Sequence, residues 1–401
     1  WTSALAGATR GATPTTLIDI DSDTMALYGA PDRAPRDLIA GLLRLSAEKA
    51  PRGVFVDIDL SKAGADPAAE AALRQTLATW PAEAPTRILS QRFAAAGSSD
   101  DGEPALVPQP FVFADAIAGR ANIRQAASLG LVDSDSVLRR WRLSQTVCDG
   151  ARGVTFPSPQ LVATSLSERR PGGDLDAFLD WRARRLCARD GAPAPAWPRN
   201  AANETNIAFL FSGEPGAPVP SVTTARGETP VFRRIPARSL LDSRRAVQPG
   251  GAVADALFTD RIVVIGATHG EAQDSHLTPI GRLPGAVIAA NAIVSAPGAL
   301  DSLGLAPWGR TLIALAIFAG LAALSLRFRA LAAGIVVSLA CLALLPLLGR
   351  LLSPASALEI VFAALAMLAM FAGFESLIEV AQGWRSGLGW RALLKKPKES
   401  A

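Results

Sequence analysis

Ligands for soft metals are scarce in this sequence. Its 401 residues include two histidines, His269 and His276, and three cysteines. With Asp274 the histidines are material for a metal triad, but no cysteine or glutamate completes a regular ligand spacing around them. The competing reading is an ordinary surface loop, and no metal centre is expected. The G-x-S-x-G, H-E-x-x-H and P-loop signatures are also missing. That removes the nucleophile elbow, the zinc-peptidase helix and the phosphate cradle. Ile265-Gly266-Ala267-Thr268 has the form of a strand-to-loop turn that brings backbone amides near a ligand. It lacks the full G-x-G-x-x-G spacing, so a nucleotide site is not expected. With neither a nucleophile nor a metal cluster the chain does not read as an enzyme, and no cofactor is expected. A net charge of +4 leaves no electrostatic footprint for nucleic acid.

What the sequence does have is apolar length near its end. Three stretches, Thr311–Leu326, Ala330–Leu348 and Ala357–Val380, approach or reach the roughly 20 residues a helix needs to cross a bilayer. Trp308–Arg310 anchors the outer end of the first. Arg327 and Arg329 separate the first two stretches, and Arg385, Arg391, Lys395, Lys396 and Lys398 follow the third against Glu399 alone. Basic residues in short loops stay cytoplasmic. Both clusters share that side only if the chain crosses three times. The expected layout is a head over residues 1–306 outside the cytoplasm, three transmembrane helices over 307–380, and a basic tail over 381–401 inside, against anionic lipid. The sequence opens at Trp1 rather than Met. Export of a head requires a signal or anchor helix, so an upstream segment is expected, and an anchor there would make four spans.

Inside the expected bundle, Glu375 and Glu379 lie near the inner end of the third span. Acids at membrane depth are costly and usually paired. A Glu375–Arg327 pair is one reading, and exposure at the interface is the other. Small residues four apart, Ala316 with Gly320 and Ala369 with Gly373, permit close helix contacts between chains or within a monomeric bundle.

The head alternates strand and helix signals. Thr16–Asp21 is a short apolar strand ending in acid, Arg36–Lys49 has apolar residues at helical spacing, and Gly53–Leu60 is a second buried strand. Ala68–Trp80 is a further helix and Thr86–Ser90 a third strand. This order predicts an α/β layered domain with a mostly parallel sheet. Ile207–Phe211 and Ile262–Gly266 add later strands, and Gly285–Ser295 a helix rich in small residues. Ala95–Pro110, Gly191–Asn206 and Ser212–Pro220 carry the Gly, Ser, Asp and Pro content of loops.

Four segments of the head, in order, resemble the type-2 CHASE domain, an extracellular sensory domain of bacterial cyclases and kinases. They are LIDIDSDTMALYG (Leu17–Gly29) followed by VFVDIDL (Val54–Leu60), ASLGLVDSDSVLRRWRL (Ala127–Leu143), FPSPQLVATSL (Phe156–Leu166), and the long run Phe258–Ser295. Three spans after the head also suit that family. The resemblance implies a multi-pass protein of the bacterial inner membrane with its large domain in the periplasm. Members of that family usually carry an output module after the last span. Here about 20 residues follow Val380, too few for a kinase or cyclase. Two classes follow. One is a sensor that binds a small molecule and relays through its spans to a separate or missing effector. The other is an accessory subunit whose head holds a protein partner in an envelope complex. Either one implies a protein partner, or self-association, through the spans or the tail.

The candidate ligand-binding residues are Asp19, Asp21, Asp57, Asp59, Gly266 and Thr268. Asp19 with Asp21, and Asp57 with Asp59, share a strand face. Ligands in open α/β sheets bind beyond the carboxyl ends of strands. Adjacent carboxylates there bind a hard cation or a cationic ligand, or else they cap helices and accept from loop amides. Asp133, Asp135, Arg139 and Arg140 suggest a hairpin whose arginines reach these strand-end carboxylates. Cys341 lies inside the second span. In an oxidising compartment Cys148 and Cys187 are either a disulfide or two separate buried thiols.

Overall fold

The computed structural model describes residues 11–29, 33–98, 104–168, 172–198, 203–224, 227–242, 247, 252–269 and 274–301. Six short strands form the central sheet: β1 (Thr15–Ile20), β2 (Gly53–Asp57), β3 (Thr86–Gln91), β4 (Ile123–Ala127), β5 (Phe232–Pro236) and β6 (Ile262–Ala267). Every neighbour pair is parallel, and the order across the sheet is β5-β1-β6-β2-β3-β4. The four inner strands, β1, β6, β2 and β3, are rich in Val, Ile and Leu, as sheets covered on both faces require.

The helices are α1 (Ser22–Leu27), α2 (Arg36–Lys49), α3 (Pro67–Ala78), α4 (Ala114–Ile117), α5 (Pro159–Ser167), α6 (Gly172–Cys187), α7 (Ala252–Phe258) and α8 (Gly285–Asp301). Alternate strand residues separate into two cores. Ile18, Ile20, Val54, Val56, Leu89, Val263 and Ile265 pack with Leu38, Leu42 and Leu45 of α2, Leu73 and Leu77 of α3 and Phe258 of α7. Leu17, Phe55, Ile88 and Val264 pack on the other face with Leu161 of α5, Phe178 of α6 and Val287 of α8. The result is the three-layered α/β arrangement the strand–helix alternation predicts. Asp21 caps α1 through Thr24 N (2.8 Å), Asp66 caps α3 through Ala68 N (2.8 Å), and Ser158 caps α5. These are the residue types that start helices.

Two local expectations are overturned. Ile207–Phe211 is not a strand; the strand there is Glu204–Asn206, paired with Leu138–Arg142. Leu210 N and Phe211 N instead donate to Asn291 Oδ1 at 2.8 and 3.3 Å, and Asn291 Nδ2 donates to Phe211 O at 3.0 Å. A buried side-chain amide on α8 thus takes the place of a ladder partner. Ala95–Pro110 is not simply a loop, since Phe93–Ser98 and Pro104–Pro108 pair antiparallel. Phe93, Leu106 and Val107 supply strand-forming residues on either side of the polar turn.

Trp1–Ser302 and Leu303–Ala401 are separate compact units. Among the described residues no helix is long and apolar enough to cross a membrane. The three expected spans, the Glu375–Arg327 pair, Cys341 and the basic tail all lie outside the described residues.

Cys148 and Cys187 form a disulfide, with Cα atoms 5.4 Å apart. It fastens the hairpin of Ser144–Asp149 and Arg152–Pro157 to the last residue of α6. A Cβ on Gly153 would stand 2.3 Å from Cys187 Sγ, so the bridge requires glycine beside it. The bridge spans a sequence separation of 39 residues, and closing a loop of that length in the unfolded chain is worth about 4 kcal/mol. The Cys148→Ser/Cys187→Ser chain is expected to lose stability by about 3–4 kcal/mol in denaturant melts. An unchanged midpoint would show that the hairpin and α6 are held without the bridge.

Candidate functional site

Gly266 on β6 lies in register with Asp19 of β1 on one side and Asp57 of β2 on the other. The chain leaves β1 and β2 for helices on one face of the sheet and leaves β6 for α8 on the opposite face. Such a divergence opens a crevice at the carboxyl ends of the strands. A Cβ on Gly266 would stand 2.5 Å from the Ala286 Cβ, so glycine is what lets the first turn of α8 settle against β6.

The two carboxylates flanking Gly266 are treated differently. Asp19 is 1% exposed and fully partnered. Arg234 of β5 donates to its Oδ2 through Nε (2.9 Å) and Nη2 (2.7 Å), and Thr268 Oγ1 donates to its Oδ1 (2.7 Å). Arg234 Nη2 also donates to Thr268 Oγ1 (2.9 Å), and Nη1 to Gly213 O (2.8 Å). This network clamps β5, β1 and the segment after β6 together. Asp57 is half-buried, and among the described residues it has no hydrogen-bond or ion-pair partner. Burial, with the like charge of Asp274 added, pushes its carboxyl up to about 7, against the weaker pull of Arg92.

Asp274 stands at the start of the hairpin Ser275–Thr278/Gly281–Pro284 that leads into α8. Its Oδ1 is 2.9 Å from His276 Nε2, an N–H donor when the ring is protonated. That hydrogen bond holds the Asp274 carboxyl below its ordinary range despite desolvation, and it raises the His276 imidazole. Asp274 Oδ2 occupies the space of a Cβ on Gly285, at 1.9 Å, and Gly285 N donates to Asp274 O at 2.8 Å. The first residue of α8 is therefore glycine because a carboxylate lies against it. Asp57, Asp274 and Arg92 thus share one electrostatic neighbourhood at the carboxyl end of β2, with His276 hydrogen-bonded to Asp274. Among the described residues no three acidic, histidine or cysteine side chains converge as a metal site.

The remaining acids are occupied locally. Asp21 caps α1 and accepts from Arg238 Nη1 at 2.8 Å; Arg238 also pairs with Asp23. Asp59 accepts from Ser61 N at 2.9 Å. Desolvation pushes Asp59 up, but the Ser61 hydrogen bonds, Arg92 and Lys62 outweigh it and leave the carboxyl below its usual range. Arg36, which is buried, fixes the loop after β2 by donating to Asp59 O (3.1 Å) and Lys62 O (2.9 Å). Arg139 and Arg140 do not reach the strand-end carboxylates. Arg139 pairs with Asp133 (3.0 Å) and Asp135 (2.6 Å), and Arg140 with Asp133 (2.7 Å) and Glu204. The tight turn between Gly130–Val132 and Leu138–Arg142 returns the arginines to the acids of their own turn. His269 is buried, 8% exposed, rather than on the surface. Arg92 gave no signal in the sequence: it is a lone arginine after a strand, and only the fold places it among three acids.

The CHASE2 domain matches residues 2–326. The chain belongs to the CHASE2 domain family. CHASE2 domains are extracellular sensory domains, which agrees with the order of segments read from the sequence. Neither the curated proteins nor the solved structures contain a match.

Asp57 gives this CHASE2 domain a pH signature. Between the ordinary carboxylate value near ~4 and about 7, the folded chain holds a proton that the unfolded chain has released. That contribution is complete below the unfolded value and is lost as pH rises through about 7. His276, raised by Asp274, acts in the same direction. Asp274, held low, acts in the opposite one, contributing above the unfolded carboxylate range and losing it as pH falls through its folded value. Asp57→Asn is therefore expected to gain stability relative to the native chain as pH rises from about 4 to about 8, measured as melting midpoints in matched buffers. Parallel curves for the two proteins would refute the assignment.

Proposed function

We propose that the chain is a membrane-anchored sensor of the bacterial envelope. Its head binds a small cationic or hydrogen-bond-donating ligand at the crevice around Asp57, outside the cytoplasm. The spans Thr311–Leu326, Ala330–Leu348 and Ala357–Val380 carry the response to a separate effector, reached through the spans or the tail. The carrying observation is the contrast at Gly266. Asp19 is paired with Arg234 and Thr268, whereas Asp57 is half-buried beside Asp274 and has no partner among the described residues. A half-buried carboxyl is costly unless something pairs with it or protonates it. Membership of a sensory family supports the same reading.

The ligand test is a thermal-shift survey of the full chain in mild detergent with small amines and divalent cations. At least one is expected to raise the midpoint, by an amount that grows with concentration, and Asp57→Asn is expected to abolish that shift. A ligand that stabilises Asp57→Asn equally would move the site elsewhere. The topology has its own test. A reporter active only outside the cytoplasm is expected to work when inserted at Ser99 and to be silent when fused after Val380. The opposite pattern would reverse the orientation.

A second reading, the accessory subunit, is favoured by exposed apolar residues on the two hairpins and α6: Val107 (45% exposed), Val154 (59%) and Leu186 (50%). Co-purification of a stoichiometric protein partner with no small-molecule shift would decide for it.

A further inference from the structure

The second half of α6 carries Trp181, Arg182, Arg185 and Leu186. With Ala194 they line a cleft of about 250 Å³. Its wall is fixed from both sides. Trp181 Nε1 donates to Ala192 O at 2.9 Å, holding the segment after the helix. The disulfide at Cys187 holds the helix end. The cleft is thus built rather than formed by loose side chains.

Its two arginines have no carboxylate partner among the described residues. Arg182 Nε is shielded from solvent and has no acceptor among the described residues. Among the described residues neither Arg182 nor Arg185 forms an ion pair with a carboxylate, although exposed Arg–Asp pairs are common elsewhere on the head, as at Arg124–Asp176 (2.7 Å) and Arg139–Asp135 (2.6 Å). The charged neighbours of Arg182 are Arg185 and Arg142, both cations, so burial first and then like charge lower its pKa. The guanidiniums face rings instead, Arg182 at 5.9 Å from the Phe178 centroid and Arg185 at 5.5 Å from that of Trp181. Arg142 Nη1 donates to Gln145 Oε1 at 2.9 Å. The helix macrodipole favours cations at a helix C-terminus by a few tenths of a kcal/mol. That explains exposed Arg184 and Arg185 but not a shielded Arg182 turned into a cleft.

We propose that this cleft binds a small oxyanion, a carboxylate or a phosphate, gripped by Arg182 and Arg185 with any planar or apolar part against Trp181 and Leu186. Guanidinium forks match both oxyanions in a bidentate way, and desolvated walls strengthen the contact. A volume of about 250 Å³ admits a small molecule and not a polymer. The site is independent of the Asp57 crevice, and its failure would leave that reading untouched.

The test titrates the full chain in mild detergent with inorganic phosphate and, separately, with benzoate. Both are run against sodium chloride at equal ionic strength and followed by calorimetry. Saturable binding of one or both is expected: phosphate alone identifies a phosphate site, benzoate alone a carboxylate site, and both a general oxyanion site. Exposed Arg185→Gln is expected to weaken binding about tenfold or more. Arg182→Gln is expected to do at least as much, and Arg185→Lys to restore part of the loss. If Arg182→Gln fails to fold, Arg185→Gln and Arg185→Lys still decide the matter. Absence of saturable binding by either probe, or undiminished binding in Arg185→Gln, would overturn the proposal.

Discussion

A carboxylate buried in the middle of a sheet must be neutralised where it stands, and Asp19 sets that condition on the head. It lies on β1, whose neighbours are the edge strand β5 and the inserted strand β6. Arg234 comes from the first and Thr268 from the segment following the second. Removing either side would leave a charge at 1% exposure without its partner, a loss of several kcal/mol in general. The three-strand clamp also fixes where β6 ends, and so where Gly266 lies, and through the Gly266–Ala286 approach where α8 begins.

The same logic separates structural charge from available charge elsewhere in the head. Arg261, also buried, is satisfied by Thr16 Oγ1 (2.9 Å) and Pro230 O (2.8 and 3.1 Å). Arg87 on β3 is 0% exposed, lies over the Trp80 ring and, among the described residues, has no acceptor on any of its three nitrogens. Burial lowers its pKa. It lies on the face of β3 shared with Leu89, which packs in the α2–α3 core. Among the described residues Arg182 and Asp57, in contrast, are short of partners, and Arg182 lines a cleft.

The apolar strands β1, β2, β3 and β6 were legible because each is a short run rich in Val, Ile and Leu, and two of them were read as ending in Asp21 and Gly266. β5 was not legible. Its sequence, Phe-Arg-Arg-Ile-Pro, has a polar centre because one arginine serves a carboxylate on the neighbouring strand, a debt visible only in three dimensions. Ile207–Phe211 misled in the other direction, since an apolar run satisfied by one asparagine looks like a strand satisfied by a ladder. At the site, Asp57 could be picked out as a strand-end acid. Its difference from Asp19 could not, because that difference rests on partners more than 200 residues away in sequence. The family segments carried the sensory assignment, which no spacing of residues alone supplied.

α8 begins against a carboxylate and ends one residue before the compact unit does, at Ser302. Its 17 residues make a rod of about 25 Å, buried on nearly every side through Val294. A rod so enclosed has little freedom to tilt in part. At Pro297 the missing amide leaves the Ile293 carbonyl without its helical donor. The hydrogen-bond ladder of the helix is therefore interrupted once, four residues before its last residue, on a segment whose upstream part is enclosed by the head.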